Sequence, residues 1–523
     1  MKIKNKKLKN IAIILLVFSG ILVITGAISL TFNPLYSQNE DNSVLSQGSD
    51  ISIPNDTLKA SDTLYISADT TSNTLVEDKT NELADVVSNL NNSMGKISLS
   101  NILRAVLGII VILFICWLLS TNRRAIKWKY VILALLLQII LALCIIYIPF
   151  VAKIFEFFGK IFIYISLSAE QGTVFLFGKL VNFEQIGYMF AFKILPTIIF
   201  FSALTSLLFY WGVIQVIVRF LGFIFTKFLG LSGVESLSLA GNIFLGQTEA
   251  PLVVKAYLDK ITDSELFLVM VGGMATMAGG VLAAYITMLG GNDFNAQVLF
   301  AKHLLAASVM AAPAAVVTAR ILVPQTETIN YNIKVSRNKK DTNTLNVISE
   351  GAIEGMKLAA NIAAMLLVFI ALIALTNYIL GFIGRWTNLN TWIVNHTSYN
   401  SFSLEFLLGY ALSPLMWLLG VPSSDIMYLG QLLGEKTILN EFVGYSSLKT
   451  MIINNMLQPK SIIMGVYLLC GFANFGSIGI QIGGIGQLAP NKRKLLAKFG
   501  VRALMAAAIT ALLSATIMGA LLG

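Results

Sequence analysis

One run of eleven residues places amide, hydroxyl and carboxyl groups inside very apolar sequence. Gly241–Pro251 reads Gly-Asn-Ile-Phe-Leu-Gly-Gln-Thr-Glu-Ala-Pro and contains Asn242, Gln247, Thr248 and Glu249. Its two glycines and its proline predict an interrupted helix. A polar interruption at membrane depth is tolerated only where it is buried in protein or lines a wet cavity. The run therefore indicates a functional site, and the alternative is a short loop with its glutamate in water.

A second polar hairpin occurs in the other half of the chain, at Leu439–Tyr445. Each hairpin is followed by a span that glycines interrupt, at Gly272–Leu289 and at Gly471–Gly479. Glycines can simply allow close helix packing, but this does not account for the polar Thr276 and Asn474 beside them. Paired discontinuous segments in corresponding places are typical of secondary transporters with a site near the membrane midplane.

The side chains of these stretches suit a neutral, polyhydroxylated solute with an amide-like edge. Amides and hydroxyls both donate and accept hydrogen bonds, and ionised glutamates accept them. No Lys or Arg lies within the four polar stretches, which argues against an anionic solute. Phe472 and Phe475 offer ring faces, and Val281 offers an apolar wall. A lone charge at the bilayer centre costs about 3 kcal/mol on insertion scales, so each glutamate must face polar groups, water, a cation or a proton.

A cation site is a second chemical possibility. A hard ion such as sodium prefers several oxygen ligands, and backbone carbonyls freed at helix interruptions supply them. Asn242 and Thr276 would add side-chain oxygens. The alternative is that Asn242 caps a helix and Thr276 bonds to its own helix. Proton coupling through Glu249 or Glu441 would use the same region and remains open.

The composition predicts an all-α polytopic membrane protein. The chain has 523 residues, of which 56% are hydrophobic and 12% charged, and its mean hydropathy is +0.77. The net charge is +10, although residues 32–96 alone carry ten acidic residues and three lysines. The excess of basic residues is what cytoplasmic loops of membrane proteins contain, so it does not indicate nucleic acid. The three cysteines have no CxxC spacing, and no common hydrolase or ATPase motif occurs, so we expect neither an enzyme nor a cofactor.

Orientation follows from the basic clusters. If both polar hairpins are re-entrant, every basic cluster falls on the cytoplasmic side, which predicts inverted repeats. Six segments result: 1–31, a membrane anchor or signal-like segment; 32–97, an acidic flexible extracytoplasmic linker; 98–230, scaffold helices and an interfacial helix; 231–323, a first transport repeat; 324–400, a basic cytoplasmic linker and a long scaffold helix; 401–523, a second transport repeat. For residues 1–31, an uncleaved anchor and a cleaved signal peptide both remain open.

Taken in order, several stretches after Ser98 resemble the concentrative nucleoside transporters. They are Ser120–Ile126, Phe192–Ser202, Gly246–Pro251, Leu439–Tyr445 and Gly471–Ile478. Residues 1–97 lie outside the resemblance. It implies two re-entrant hairpins and two broken helices in a mobile transport domain, carried by a scaffold in a homotrimer. It also implies nucleoside import across a bacterial cytoplasmic (inner) membrane, driven by a sodium or proton gradient.

The resemblance also implies roles for particular residues. Gln247 and Thr248 would meet the base. The other substrate-binding residues would be Glu249, Val281, Glu441, Phe472, Asn474 and Ser477, with Glu441, Asn474 and Ser477 on the ribose hydroxyls. The sodium site would consist of Asn242, Leu245, Thr276 and Met277, the second and fourth through their carbonyls.

We therefore expect a sodium-coupled nucleoside symporter embedded in membrane lipid, working by alternating access. Proton coupling is the first alternative, and another small polar solute such as a nucleobase is the second. A passive channel would not need two opposed hairpins with acidic tips. Thr248 and Gly476 vary within the family and bear on the choice between purine and pyrimidine, in a direction that the sequence does not give.

Overall fold

The structure is a computed structural model that describes residues 98–181, 189–329 and 343–522. The predicted anchor or signal segment, 1–31, and the acidic linker, 32–97, lie outside these ranges. Every regular element in the described ranges is helical, as the composition predicted.

The α-helices are numbered here in chain order. They are α1 Leu99–Leu118, α2 Trp128–Tyr147, α3 Pro149–Phe177, α4 Leu195–Tyr210, α5 Val213–Leu229, α6 Gly233–Asn242, α7 Asp263–Ala275, α8 Gly279–Gly290, α9 Phe294–Leu322, α10 Thr344–Trp386, α11 Leu389–His396, α12 Leu404–Leu418, α13 Ile426–Ile438, α14 Glu441–Ile453, α15 Pro459–Leu469, α16 Phe475–Leu488 and α17 Arg493–Leu521. Shorter helical segments are Arg123–Ala125, Gly178–Val181, Phe190–Lys193, Ala250–Lys260 and Pro490–Lys492.

Seven stretches of the described chain are helical, long and apolar enough to cross a membrane. They are Leu99–Leu118, Trp128–Tyr147, Ala191–Tyr210, Asp263–Gly290, Phe294–Leu322, Thr344–Trp386 and Pro490–Leu521. The prediction of a polytopic membrane protein is confirmed. The helix α3, for which the sequence predicted an interfacial position, is not among the seven.

The two polar hairpins and the two interrupted spans all form, with different boundaries from those predicted. Hairpin 1 consists of α6 and residues 250–260 joined by a tip at 243–249, and hairpin 2 consists of α13 and α14 joined at 439–440. Break 1, at 276–278, separates α7 from α8, and break 2, at 470–474, separates α15 from α16.

Three glycines that were expected to interrupt helices lie inside them instead. Gly241 is within α6, and Gly272 and Gly273 are within α7. The physical reason is close packing: a methyl group on Gly272 would lie 3.3 Å from Nδ2 of Asn242, and one on Gly273 would lie 2.7 Å from Nε2 of Gln481. Glycine at these positions makes room for side chains from other segments, including Leu239, whose Cδ1 would lie 3.0 Å from a methyl group on Gly272.

The core of the described fold surrounds α7, α8 and α9. Of the 18 most apolar consecutive residues of α9, 94% are buried. This helix packs against α2, α3, α7, α8 and α17. The long helix α10 is the opposite case, because only 6% of its 18 most apolar consecutive residues are buried. It packs mainly along α4. This contrast fits a transport domain carried by a scaffold.

A buried ion pair ties the base of hairpin 1 to its neighbours. Nη2 of Arg320, in α9, lies 2.8 Å from a carboxylate oxygen of Glu235, and Nη1 lies 3.2 Å from Oγ of Ser264. Capping boxes begin both α6 and α7, formed by Ser232 with Glu235 and by Thr262 with its own glutamate three residues on. These bonds satisfy the free N–H groups of the helix ends and set where hairpin 1 starts.

Candidate functional site

The tip of hairpin 2 holds a buried carboxylate between two donors. Asn440 caps α14 by accepting a hydrogen bond from the N–H of Val443 at 3.0 Å, so Glu441 is the first residue of the helix. Tyr285 in α8 donates its hydroxyl to Oε1 of Glu441 at 3.1 Å. Asn474 at break 2 donates its amide to Oε2 at 2.9 Å. Glu441 is only 4% exposed, so these bonds replace water around its charge.

The same asparagine begins α16 and connects hairpin 2 to hairpin 1. Oδ1 of Asn474 accepts from the N–H of Ser477 at 2.9 Å, which fixes the amide so that its Nδ2 points to Glu441. Gln247 at the tip of hairpin 1 donates from Nε2 to Oγ of Ser477 at 3.2 Å. Oε1 of Gln247 is buried and has no hydrogen-bond partner in the described chain.

These bonds form one continuous polar network, which we call the tip network. Its members are Gln247, Ser477, Asn474, Glu441 and Tyr285. Both hairpins and both broken helices contribute to it. The tip network unites four of the eight predicted substrate-binding residues and adds a tyrosine that the sequence analysis did not single out.

The other predicted substrate-binding residues lie on the elements that carry the tip network. Thr248 packs against α16, where a methyl group on Gly484 would lie 2.8 Å from its Cγ2. Glu249 accepts a bond from the N–H of Gly246 at 3.4 Å and is partly buried. Val281, 2% exposed, lies in the first turn of α8. Phe472, partly buried in break 2, packs against the core.

Helix N-termini meet at the same place. α14 and α16 both begin within the tip network, at Glu441 and just after Asn474. At the start of α8, the N–H of Gly279 donates to the carbonyl of Phe244 in the tip of hairpin 1 at 3.1 Å. The positive end of a helix dipole favours a nearby carboxylate, which helps to stabilise Glu441 in the interior.

The predicted cation ligands lie where α6 reaches the end of α7. Asn242 is fully buried, and neither atom of its amide has a hydrogen-bond partner in the described residues. The capping bond considered for it does not occur. Thr276 donates its hydroxyl to the carbonyl of Gly272 at 2.8 Å, as the alternative for that residue predicted, which leaves the oxygen able to accept. Leu245 and Met277 are 2% and 0% exposed.

Three residues near the site were missed by the sequence analysis. No feature of the sequence indicated a functional role for Tyr285, because an aromatic residue in a membrane-spanning helix usually belongs to the packed core. Lys436, in α13, was the clearest missed signal, since a charge in an apolar membrane segment indicates function by default. Gln481 in α16 is fully buried and donates to the carbonyl of Met270 at 2.9 Å.

Two helical hairpins and two broken helices that converge on a buried polar network define a secondary membrane transporter. Sequence comparison agrees with this class. Residues 107–180 and 303–519 match the N- and C-terminal profiles described as "Na+ dependent nucleoside transporter", and residues 191–292 match a profile described as "Nucleoside recognition".

Individual relatives make the family plain. The chain is 37% identical to a putative nucleoside permease, NupX, of Escherichia coli over 436 residues, which are 81% of this chain and 99% of that protein. It is 36% identical to the nucleoside permease NupC of Helicobacter pylori, over 80% of this chain and 97% of that protein. Human solute carrier family 28 member 3 is 35% identical over 79% of this chain and 59% of its own length.

Solved structures agree in fold. The transporter CNTnw in an inward-facing substrate-bound state superposes with a TM-score of 0.73 at 38% identity, covering 80% of this chain and 98% of CNTnw. An outward-facing variant of CNTnw gives a TM-score of 0.73 at 38% identity, covering 80% and 97%. This chain belongs to the concentrative nucleoside transporter family, and its relatives are permeases, not enzymes.

Proposed function

We propose that this protein imports nucleosides by sodium-coupled symport with alternating access. The observation that carries the proposal is the buried tip network, Gln247–Ser477–Asn474–Glu441–Tyr285. Polar groups of this kind stay buried only when they are satisfied, so a solute that enters must replace their bonds. A nucleoside has the hydroxyls and the amide-like edge to do so.

The ribose belongs at Glu441. An ionised carboxylate accepts hydrogen bonds from vicinal hydroxyls, and Tyr285 and Asn474 already hold its two oxygens in a fixed orientation. Ser477 and Asn474 add a hydroxyl and an amide in the same network. A free nucleobase lacks the hydroxyls, so it would gain none of these hydrogen bonds, each of which contributes about 0.5–3 kcal/mol. We therefore rank the nucleobase as the second candidate.

The base belongs at the tip of hairpin 1. Oε1 of Gln247 is an unused buried acceptor, which suits an N–H group of a base. Thr248 and Glu249 follow it in the chain and can contact further polar atoms of the base. Val281 and Phe472 would enclose the ring with apolar surface.

The coupling ion belongs between α6 and the end of α7. The amide of Asn242 is fully buried and has no hydrogen-bond partner among the described residues, and a carbonyl-rich helix end with a negative dipole lies beside it. Thr276 and the carbonyls of Leu245 and Met277 would complete the oxygen ligands. The profile description "Na+ dependent" supports sodium, and a proton on Glu249 or Glu441 is the alternative.

The exposed scaffold supports a proposal for the assembly. Only 6% of the 18 most apolar consecutive residues of α10 are buried, so lipid or other copies of the chain must cover this helix. We propose a homotrimer in a bacterial cytoplasmic (inner) membrane, with re-entrant hairpins entering from opposite faces and with residues 32–97 outside the cell. Similar structures in inward- and outward-facing states support alternating access.

Uptake of labelled uridine and adenosine into proteoliposomes tests this function. An inward sodium gradient is compared with an equal potassium gradient, each with and without a pH gradient, and with cold nucleosides and nucleobases as competitors. We expect saturable uptake that requires sodium and that nucleosides, but not free bases, inhibit.

Any different result would change one particular part of the proposal. Uptake that follows only the pH gradient would replace sodium by a proton. Stronger inhibition by free bases than by nucleosides would move the substrate to a nucleobase. No uptake under any gradient, from protein shown to be folded, would overturn nucleoside transport.

A further inference from the structure

Lys436 places a positive charge at the carbonyl end of a broken helix. Its side chain is fully buried, and Nζ donates to the carbonyl of Leu468 at 3.0 Å and to that of Cys470 at 2.6 Å. These carbonyls end α15 and begin break 2. The last carbonyls of a helix have no partner within it and form the negative end of its dipole.

Among the described residues, no carboxylate lies within ion-pair distance of this ammonium. The ion pairs found in the described part of the chain do not include Lys436. The neighbouring Glu435 accepts instead from the amide of Gln431 at 2.7 Å. A buried charge needs compensation, and here the helix end and its two carbonyls supply it.

The corresponding place in the first repeat holds the amide of Asn242, for which the described part of the chain offers no hydrogen-bond partner. Asn242 is the last residue of α6, the first helix of hairpin 1, and it lies against the final turn of α7. Lys436 is in α13, the first helix of hairpin 2, and it lies against the end of α15. Both α7 and α15 are the halves that precede a break. One repeat therefore places an unsatisfied amide at this position, and the other places an ammonium.

We propose that Lys436 is a built-in cation of the second repeat, which holds break 2 in the way that a dissolved sodium ion holds break 1. The comparison with sodium rests on the function proposed above. In this arrangement each protomer takes up a dissolved cation at break 1 only, while break 2 is held with no ion present.

The consequence for the substrate site runs through Asn474. Break 2 begins at Cys470, whose carbonyl Lys436 holds, and ends at Asn474, whose amide holds Glu441. Lys436 is thus a positioning residue, which keeps the ribose-directed groups in place before the nucleoside arrives.

Chemical rescue tests this role. Lys436→Ala removes a propylammonium group, so uridine affinity is measured by calorimetry in nanodiscs at saturating sodium, with n-propylammonium or with 1-propanol added. We expect the variant to bind uridine at least about tenfold more weakly, because two charged hydrogen bonds are lost. We expect propylammonium to restore most of the affinity and propanol, which has the same length without the charge, to restore none.

Lys460→Ala is the matched control. Lys460 is a buried lysine, 7% exposed, on α15, the helix whose last carbonyls Lys436 contacts, but it lies at the end of α15 away from break 2. This variant should keep its uridine affinity and should not respond to propylammonium. Equal rescue of Lys436→Ala by propanol, or no rescue by propylammonium in folded protein, would overturn the built-in cation.

A second pair of variants decides the matter if Lys436→Ala does not fold. Lys436→Arg keeps the charge, and Lys436→Gln keeps a donor without the charge. Weak uridine binding by the glutamine variant alone supports the proposal, and equal behaviour of the two contradicts it. Sodium dependence of the wild type is read separately, so a failure of sodium coupling remains distinguishable from a failure of the role of Lys436.

Discussion

At the scale of single residues, the site depends on one carboxylate that two fixed donors orient. Glu441 accepts from the hydroxyl of Tyr285 and from the amide of Asn474, and it lies at the N-terminus of α14. Each of these features favours an acceptor with a full negative charge. An amide in its place would present a donor to one of the existing donors.

Glu441→Gln should therefore lose most nucleoside uptake. Replacing a charged acceptor costs about 1.5–3 kcal/mol, which corresponds to roughly a 10- to 100-fold loss of uridine affinity. The measurement is uridine binding and uptake by purified protein. Glu405→Gln is the control, since Glu405 in α12 also accepts from an asparagine amide, that of Asn377, and should leave uptake unchanged. Equal uptake by the Glu441 variant and the wild type would contradict the ribose assignment.

Asn242→Leu tests the ion site separately. Loss of one ligand oxygen should raise the half-saturating sodium concentration at least about tenfold, which corresponds to about 1.4 kcal/mol. Uridine binding is titrated with sodium at constant ionic strength. Thr510→Val removes another buried polar group, a hydroxyl 3.0 Å from that of Thr318, and should leave the sodium response unchanged. A wild-type sodium titration from Asn242→Leu would remove this residue from the ion site.

At the scale of elements, the two broken helices touch each other at their interruptions. Gly471, at break 2, has a φ of +88°, and a Cβ there would overlap the carbonyl of Ala275 at the end of α7. Only glycine combines this left-handed backbone with such a close approach. The contact holds the two breaks, and with them the ends of four half-helices, at one place.

Gly471→Ala should therefore destabilise the transporter strongly. The positive φ alone costs about 1–3 kcal/mol for a residue with a side chain, and the overlap adds to it. Thermal unfolding in detergent, followed by tryptophan fluorescence, reports the change. Gly483→Ala is the control, because Gly483 lies within α16 with open space around its Cα, so it should be neutral or slightly stabilising. A melting temperature for Gly471→Ala equal to that of the control would disprove the close contact.

At the scale of the whole molecule, buried and exposed helices divide the transporter in two. Among the 18 most apolar consecutive residues of each stretch, 94% are buried in α9 and 83% in 263–290. The corresponding fractions in α1 and α2 are only 22% and 28%. Helices that surround the site thus form the packed core, and the scaffold helices expose apolar faces. Such a division is consistent with the proposed movement of a transport domain against a scaffold.

Symport of a neutral nucleoside with one cation moves a net positive charge. A membrane potential of 100 mV adds about 2.3 kcal/mol per charge, enough for roughly 50-fold accumulation at about 1.4 kcal/mol per factor of ten. Uridine uptake should therefore accelerate when valinomycin and a potassium gradient make the vesicle interior negative. Proteoliposomes with Glu441→Gln supply the background. Uptake that does not respond to the potential would argue for electroneutral transport.

The amino-acid sequence was enough to predict the class of protein and the polar residues at the tips of the two hairpins. The apolar composition requires membrane-spanning helices, and polar residues within such helices stand out because burying them is costly. Gln247, Asn474 and Glu441 were found for this reason, and the structure brings them into one network. Their proposed contacts with a nucleoside remain predictions.

Which side chains contact one another became clear only from the packing of distant segments. Gln247 and Ser477 are 230 residues apart, and Tyr285 and Glu441 are 156 apart, so no local pattern links them. Glycine gave an ambiguous signal, because it interrupts a helix at Gly471 but makes room for a neighbour at Gly272. The partner of Lys436, likewise, is a helix end that exists only once break 2 has formed. Contacts of this kind depend on how distant segments pack, which the order of residues along one segment does not specify.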